Sequence, residues 1–319
     1  MELILSPVTA DLQRAARSIL QGNLVVFPTE TVYGLGADAC NPDAIKRLFN
    51  LKSRPSSNPL IVHLPSTKNI SHWAKELPDY ARTLAEAFWP GPMTLVLKRN
   101  THVLDLITGG QSTIGVRVPS NSLAQGLLLE FENIGGLGIA APSANKYGKV
   151  STTSATAVQD IFGDEGIEGD LILDGGVSEY GIESTIISCV KSNPTILRPG
   201  VVTPELIEAY TGIVIDTTQN FGEIKVPGMS LKHYAPAAKI LVNHTPKEGQ
   251  GLIADFNFPT PPGVIRISAP KNLYEFAKNL YDSFKTADVL NLKIVSVYLP
   301  EGSSGLATAI KDRVIRAAN

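Results

Sequence analysis

At 319 residues the chain exceeds the span one core usually organises, which predicts two domains. Hydrophobic residues make up 43% and charged residues 18%, enough to fill a core, while a formal net charge of -2 and an isoelectric point near 6.2 exclude a global basic field for nucleic acid. Only Cys40 and Cys189 occur, without metal-ligand spacing, and no apolar run reaches bilayer length, so the expectation is a soluble, cytoplasmic protein with no membrane contact, acting on a small molecule.

Met1–Ser6 lacks a positive segment ahead of its apolar piece and is not read as a signal peptide. Thr9 to Gly22 predicts a helix, with Thr9 as cap, Leu12, Ala15, Ala16 and Ile19 as buried face and Gly22 as stop. Leu24–Phe27 is a strand that Pro28 ends for want of an N–H. Asn41-Pro42 opens a helix with Ile45 and Leu48 buried. Leu60–Leu64, Met93–Lys98, Thr113–Val118 and Gly138–Ala141 read as strands, with helices at Pro78–Phe88, Ser122–Glu130 and from near Ser154. Strands follow at Leu171–Leu173, Ser184–Val190 and Thr195–Arg198, then a helix over Pro204–Tyr210. The alternation is irregular and several strands adjoin directly, which predicts a mixed α/β sheet with flanking helices. The boundaries read as a first domain over 1–212, a linker over 213–236 and a small second α/β domain over 237–319. That last domain combines strands at Lys239–Val242, Gly251–Asp255, Val264–Ser268 and Ile294–Leu299 with helices at Leu273–Phe284 and Leu306–Ala318.

Chemistry concentrates at strand ends. Phe27–Ala39 mixes hydroxyls, a carboxylate, a phenol and two glycines; it is expected to pack no core and to present polar groups to a ligand, or else to be a plain strand-to-helix turn. Lys52 and Arg54 sit among prolines and serines with Asn58; they are either solvated cations or a grip for a triphosphate. His63 is either a satisfied core residue or a site group. Arg117 lies in an apolar strand and needs an anionic partner, whether a ligand or an internal carboxylate. Pro142-Ser143-Ala144-Asn145 and Ser151-Thr152-Thr153 are hydroxyl-rich turns before a helix N-terminus, where Ser154 caps and an anion would also be welcome. Pro227 to Pro236 is linker by composition, yet it carries Met229, His233 and Tyr234, as loops over sites do. No P-loop, G-x-G-x-x-G, G-x-S-x-G, H-E-x-x-H or paired C-x-x-C occurs.

Taken together, Pro28–Leu35, Lys52-x-Arg54-Pro55, Ser143-Ala144-Asn145, Glu183-Ser184-Thr185, Arg198-Pro199-Gly200 and Pro227-Gly228-Met229 with His233-Tyr234-Ala235-Pro236 resemble the Sua5/YrdC/YciO family in its two-domain Sua5 form. The resemblance implies a YrdC-like mixed twisted sheet, a linker, and a small Rossmann-like α/β domain. It implies an enzyme that makes threonylcarbamoyl-AMP and pyrophosphate from L-threonine, bicarbonate or CO2, and ATP. Mg2+ would arrive with the ATP, with no tightly bound protein-ligated metal, and the product would pass to a tRNA-modifying transferase. By analogy Thr31, His63, Arg117, Ala141 and Ser184 would hold threonine. Arg54, Asn58, Thr113, Ser143, Ser151, Arg198 and Tyr234 would hold ATP, with Lys52 and Arg54 answering charge on the phosphates. An RNA-binding module and a threonine-independent ATP hydrolase or nucleotide sensor are the alternatives; the acidic balance disfavours direct nucleic-acid binding.

Overall fold

The computed structural model describes residues 1–217, 224–229, 233–302 and 305–319; of the segment read as a linker, residues 218–223 and Ser230–Lys232 lie outside the described residues. Strand β1 (Glu2–Ile4) leads into helix α1 (Thr9–Leu20). Thr9 does not cap this helix: Val8 holds the cap position and offers the first-turn N–H groups no side-chain acceptor, while its own N–H donates to the Asp11 carboxylate at 3.0 Å. Gly22 follows in the left-handed region at φ 89°, which suits a residue without Cβ.

Strand β2 (Val25–Phe27) pairs antiparallel with β3 (Gly34–Asp38). This overturns the expectation that Phe27–Ala39 packs no core. All of it is buried, and Gly36 lies in the strand where its neighbours leave no room for a side chain. A Cβ on Gly36 would meet Ile139 Cγ2 at 2.8 Å, Phe27 Cε1 at 2.9 Å and the Val25 carbonyl oxygen at 3.0 Å.

Helix α2 (Pro42–Lys52) is capped by the Asn41 side chain, as its sequence predicts. Next come β4 (Ile61–His63), the single turn α3 (Ile70–Trp73), α4 (Asp79–Phe88), β5 (Met93–Lys98), the single turn α5 (Asp105–Thr108) and β6 (Thr113–Arg117). Helix α6 (Ser122–Asn133) and the two-residue β7 (Ile139–Ala140) precede α7 (Ala155–Phe162), which Ser154 caps. Strands β8 (Leu171–Leu173), β9 (Thr185–Ser188) and β10 (Thr195–Arg198) and helix α8 (Pro204–Thr211) complete the first unit. Among the described residues, its ten strands form one mixed sheet in the order β1-β8-β2-β3-β7-β4-β6-β5-β9-β10. Alternation along β2 sorts the layers: Val26 joins Ile45, Leu48 and Phe49 of α2, while Val25 and Phe27 join α1 and α6 on the opposite face. Farther along the sheet, Ile61, Val96, Ile186 and Leu197 are covered by Val226.

The second unit contains β11 (Lys239–Val242), β12 (Gly251–Ile253), β13 (Ile265–Ser268), α9 (Leu273–Val289), β14 (Ile294–Val297) and α10 (Gly305–Ala318). Its strands are all parallel, ordered β11-β14-β12-β13, so the expected mixed sheet plus small α/β domain is what the chain builds. Its core does not close on itself: Val32, Ile182 and Tyr234 of the first unit and linker pack into it.

Gly36→Ala should therefore destabilise the fold by about 1–3 kcal/mol through overpacking, read as a lower urea midpoint by the fluorescence of Trp73 and Trp89.

Candidate active site

The loop between β2 and β3 ties itself down before it meets anything else. Thr29 Oγ1 donates to the Val32 carbonyl at 2.6 Å and accepts from the N–H groups of Thr31 and Val32 at 3.2 Å. The Tyr33 N–H donates to the Thr152 carbonyl, and Tyr33 accepts from the Ala144 N–H through its own carbonyl. The 28–33 loop is thereby fixed to the turn that carries Ser143.

Arg117 ends β6 beside it. Its Nη2 donates to Glu30 Oε1 at 2.6 Å, its Nη1 to Thr31 Oγ1 at 3.0 Å and its Nε to the Gly91 carbonyl at 3.4 Å. Arg117 and Glu30 are both buried, so of the two partners left open, the internal carboxylate is present. A guanidinium has five N–H donors. Three are used here, and the remaining two suffice for a bidentate carboxylate.

Thr31, Arg54, His63, Arg117, Ala141, Ser143, Ser184, Arg198 and Tyr234 line one cavity, together with Glu183, Pro227, Gly228 and His233. Nine of the predicted residues thus converge. Lys52, Asn58, Thr113 and Ser151 lie outside its wall. Lys52 closes α2, and Ser53 after it adopts the left-handed conformation at φ 51°, which turns the chain so that Lys52 and Arg54 both enter the interior. The solvated-surface reading of this pair fails: Lys52 Nζ is buried and donates to the carbonyls of Ser143 (2.6 Å) and Asn145. Burial, with Arg54 and Lys146 nearby, holds its pKa well below the usual lysine value. Asn58 donates to the Tyr147 hydroxyl at 3.2 Å, Thr113 opens β6 beside a smaller adjoining cleft, and Ser151 donates to Glu183 Oε1 at 2.6 Å.

Two buried acids escaped selection as site residues, Glu30 and Glu183. Burial alone would raise the Glu183 carboxyl, but Arg313 and Arg198, with hydrogen bonds from Ser151 and Arg313, hold it down at about 2. Arg198 Nε and Nη2 donate to the Ser184 carbonyl at 3.1 and 2.9 Å, which locks the β10 end against the β9 entrance. Arg54 donates from Nη2 to the Pro59 carbonyl, and burial lowers it to about 10.

The cavity encloses about 50 Å³, room for a few waters. Pro227, Gly228, His233 and Tyr234 roof it. Gly228 sits at φ 85°, and a Cβ there would lie 2.2 Å from the Tyr234 hydroxyl, so only glycine fits. Among the described residues, Arg54 Nε, His63 Nδ1, His233 Nδ1 and Tyr234 OH are buried without a protein partner. Among the described residues, no three His, Cys, Asp or Glu side chains gather as metal ligands, and no helix is long and apolar enough to cross a membrane.

Burial, with Arg117 nearby, lowers His63 to about 3; burial lowers His233 to about 4, although Glu183 opposes the shift. Both rings are neutral at pH 7. The unfolded chain takes up a proton on each below its ordinary 6.5 and the folded chain does not, so stability is complete above pH 6.5 and is lost as pH falls toward these depressed values. At pH 5 each ring should cost about 2 kcal/mol relative to pH 8, and His63→Gln should remove about that much of the pH dependence in urea titrations.

Comparisons with known proteins identify the family and the fold. Residues 17–200 match the Sua5–YciO–YrdC family profile, described as telomere recombination, and residues 202–319 match the threonylcarbamoyl-AMP synthase C-terminal domain. The threonylcarbamoyl-AMP synthase of Pyrococcus abyssi is 40% identical over 95% of this chain and 93% of its own. That of Bacillus subtilis is 37% identical over 98% and 94%. The crystal structure of P. abyssi Sua5 complexed with L-threonine superposes with a TM-score of 0.88, at 34% identity, covering 99% of this chain and 97% of that one.

Proposed function

The chain belongs to the Sua5–YciO–YrdC family, and we propose that its cavity joins L-threonine, bicarbonate or CO2, and ATP into threonylcarbamoyl-AMP with release of pyrophosphate. It is an enzyme of the nucleotidyltransferase type that serves tRNA modification. The observation that carries the reading is the convergence of a carboxylate-gripping Arg117, polar Thr31 and His63, and cationic Arg54 and Arg198 on one roofed cavity.

Two steps account for the chemistry. The threonine amine attacks the carbon of CO2 with loss of a proton, or that of bicarbonate with loss of water, and a carbamate forms. A carbamate oxygen then attacks the α-phosphorus of ATP, and the bond to the β-phosphate oxygen breaks. The two spare Arg117 N–H groups hold the threonine carboxylate, with Thr31, His63, Ala141 and Ser184 around the rest of the amino acid. Arg54, Ser143, Arg198 and Tyr234 receive the nucleotide, and Asn58, Thr113 and Ser151 come to it only with movement of the wall. Lys52, one carbonyl behind Ser143, reaches the phosphates by exchanging its backbone partners for phosphate oxygens. Mg2+ enters with the ATP as part of that substrate. Such work is positioning and charge stabilisation, and a roof that excludes water protects a labile mixed anhydride. The product then goes to a separate transferase acting on tRNA adenosine. Neither an RNA-binding role nor threonine-indifferent hydrolysis has a feature of the cavity that favours it.

With threonine, bicarbonate and Mg-ATP, pyrophosphate release should depend on threonine; release indifferent to threonine overturns the reading. Arg117→Lys keeps a cation beside Glu30 but loses the planar fork. It should weaken threonine affinity by about tenfold or more, with ATP affinity within about twofold by calorimetry.

A further inference from the structure

The second domain sets two fully buried side chains against the back of residues that line the cavity. Arg313, on α10, donates from Nε to Glu183 Oε2 at 2.8 Å and from Nη2 to the Pro199 carbonyl at 3.0 Å, and its guanidinium lies 5.4 Å from the Tyr234 ring centroid. Tyr281, on α9, donates to Glu183, with its hydroxyl 2.9 and 3.1 Å from the two carboxylate oxygens, and stacks on Tyr234 at 5.5 Å and 27°. Glu183 and Tyr234 line the cavity, whereas Arg313 and Tyr281 do not. The Ser151 hydroxyl completes the set on Glu183. One turn farther along α10, Arg316 Nη1 donates to the Met229 carbonyl at 2.9 Å, and the Arg316 carbonyl accepts from the His233 N–H at 3.2 Å. Both ends of the described roof are therefore tied to the same helix.

Domain adhesion alone does not call for this arrangement. A buried ion pair stabilises no better than a well-packed apolar contact of the same volume, because desolvation offsets the attraction. What Arg313 and Tyr281 add is direction: with Ser151 they occupy both oxygens of Glu183, and both also pack on the Tyr234 ring. Among the described residues, the hydrogen bonds of Arg117 and Thr31 do not reach this cluster.

We infer that Arg313 and Tyr281 are positioning residues through whose polar contacts the C-terminal domain sets Glu183, Ser151 and Tyr234 for the nucleotide, while on the amino-acid side the second core meets only apolar Val32 and hydrogen-bonds neither Arg117 nor Thr31 among the described residues. The inference rests on the adenylation reading above and assigns the second domain its part in it.

The test uses the full chain with Tyr281→Phe and Arg313→Lys. Tyr281→Phe should raise the ATP KM about fivefold, the effect of one lost net hydrogen bond, with the threonine KM within about twofold. Arg313→Lys should raise the ATP KM about tenfold or more in the same lopsided way, because lysine lacks the fork that spans Glu183 and Pro199. A role in domain adhesion alone would lower the melting temperature and the active fraction and leave both KM values in place; that result, or an equal rise in both, overturns the inference. Should Arg313→Lys fail to fold, Tyr281→Phe, which deletes a single oxygen, decides the matter. Calorimetric ATP Kd values read the positioning effect without turnover. A wild type that binds ATP but shows no threonine-dependent pyrophosphate release sinks the adenylation reading, and the Kd comparison still judges the two residues; no ATP binding by the wild type overturns both.

Discussion

The pairing of Arg117 with Glu30 is the constraint on which the site depends. A guanidinium at the end of an interior strand has lost its water, and without a counter-charge the sheet would be destabilised by several kcal/mol. The compensating carboxylate comes from the loop between β2 and β3, so that loop must lie against β6 for the fold to tolerate its own sequence. Thr31, one residue on, is drawn to the same guanidinium. Charge compensation thus sets the loop, and the loop sets the cavity floor. The hydroxyl of Thr29 spends its bonds on keeping the loop in that shape.

Glu183 plays the corresponding part on the other wall, with the difference that Arg313 and Tyr281, two of its partners beside Ser151 and Arg198, come from another domain. The cost of burying that carboxylate is offset in part by Ser151 and Arg198 and in part by Arg313 and Tyr281 of the docked domain. Val32, Ile182 and Tyr234 pack into the second core and extend the dependence to apolar surface. The second core is completed by residues of the first unit and linker, and the cavity, lined from Thr29 to Tyr234, is backed at Glu183 and Tyr234 by the second domain.

The sequence reading located most elements because their signals are local. The apolar run Met93–Lys98, the Asn41-Pro42 helix start and the short strand Leu171–Leu173 need no distant information. Strand β3 was hidden because Gly34 and Gly36 read as turn residues; the reason for glycine there, the closeness of Phe27 and Ile139, exists only once the sheet has formed. Single turns α3 and α5 carry too few residues for a period to show. Arg117 announced itself as a charge in an apolar strand, but its partner stands 87 positions away, and nothing in either segment names the other. The same holds for Glu183 and Arg313, separated by 130 positions. Family motifs gathered most of the cavity; the acids that hold its cations in place required the fold.

The unpaired polar atoms bear on what the cavity admits. Among the described residues, Arg54 Nε, His63 Nδ1, His233 Nδ1 and Tyr234 OH are buried without a protein partner, and each buried group left so costs about 1–3 kcal/mol. All four belong to side chains that line the same cavity. They include donors as well as possible acceptors, which an apolar ligand would leave unmet and a ligand rich in oxygens and nitrogens would pair. The groups that cost stability while they lack a partner are thus the ones that select a polar occupant over an apolar one.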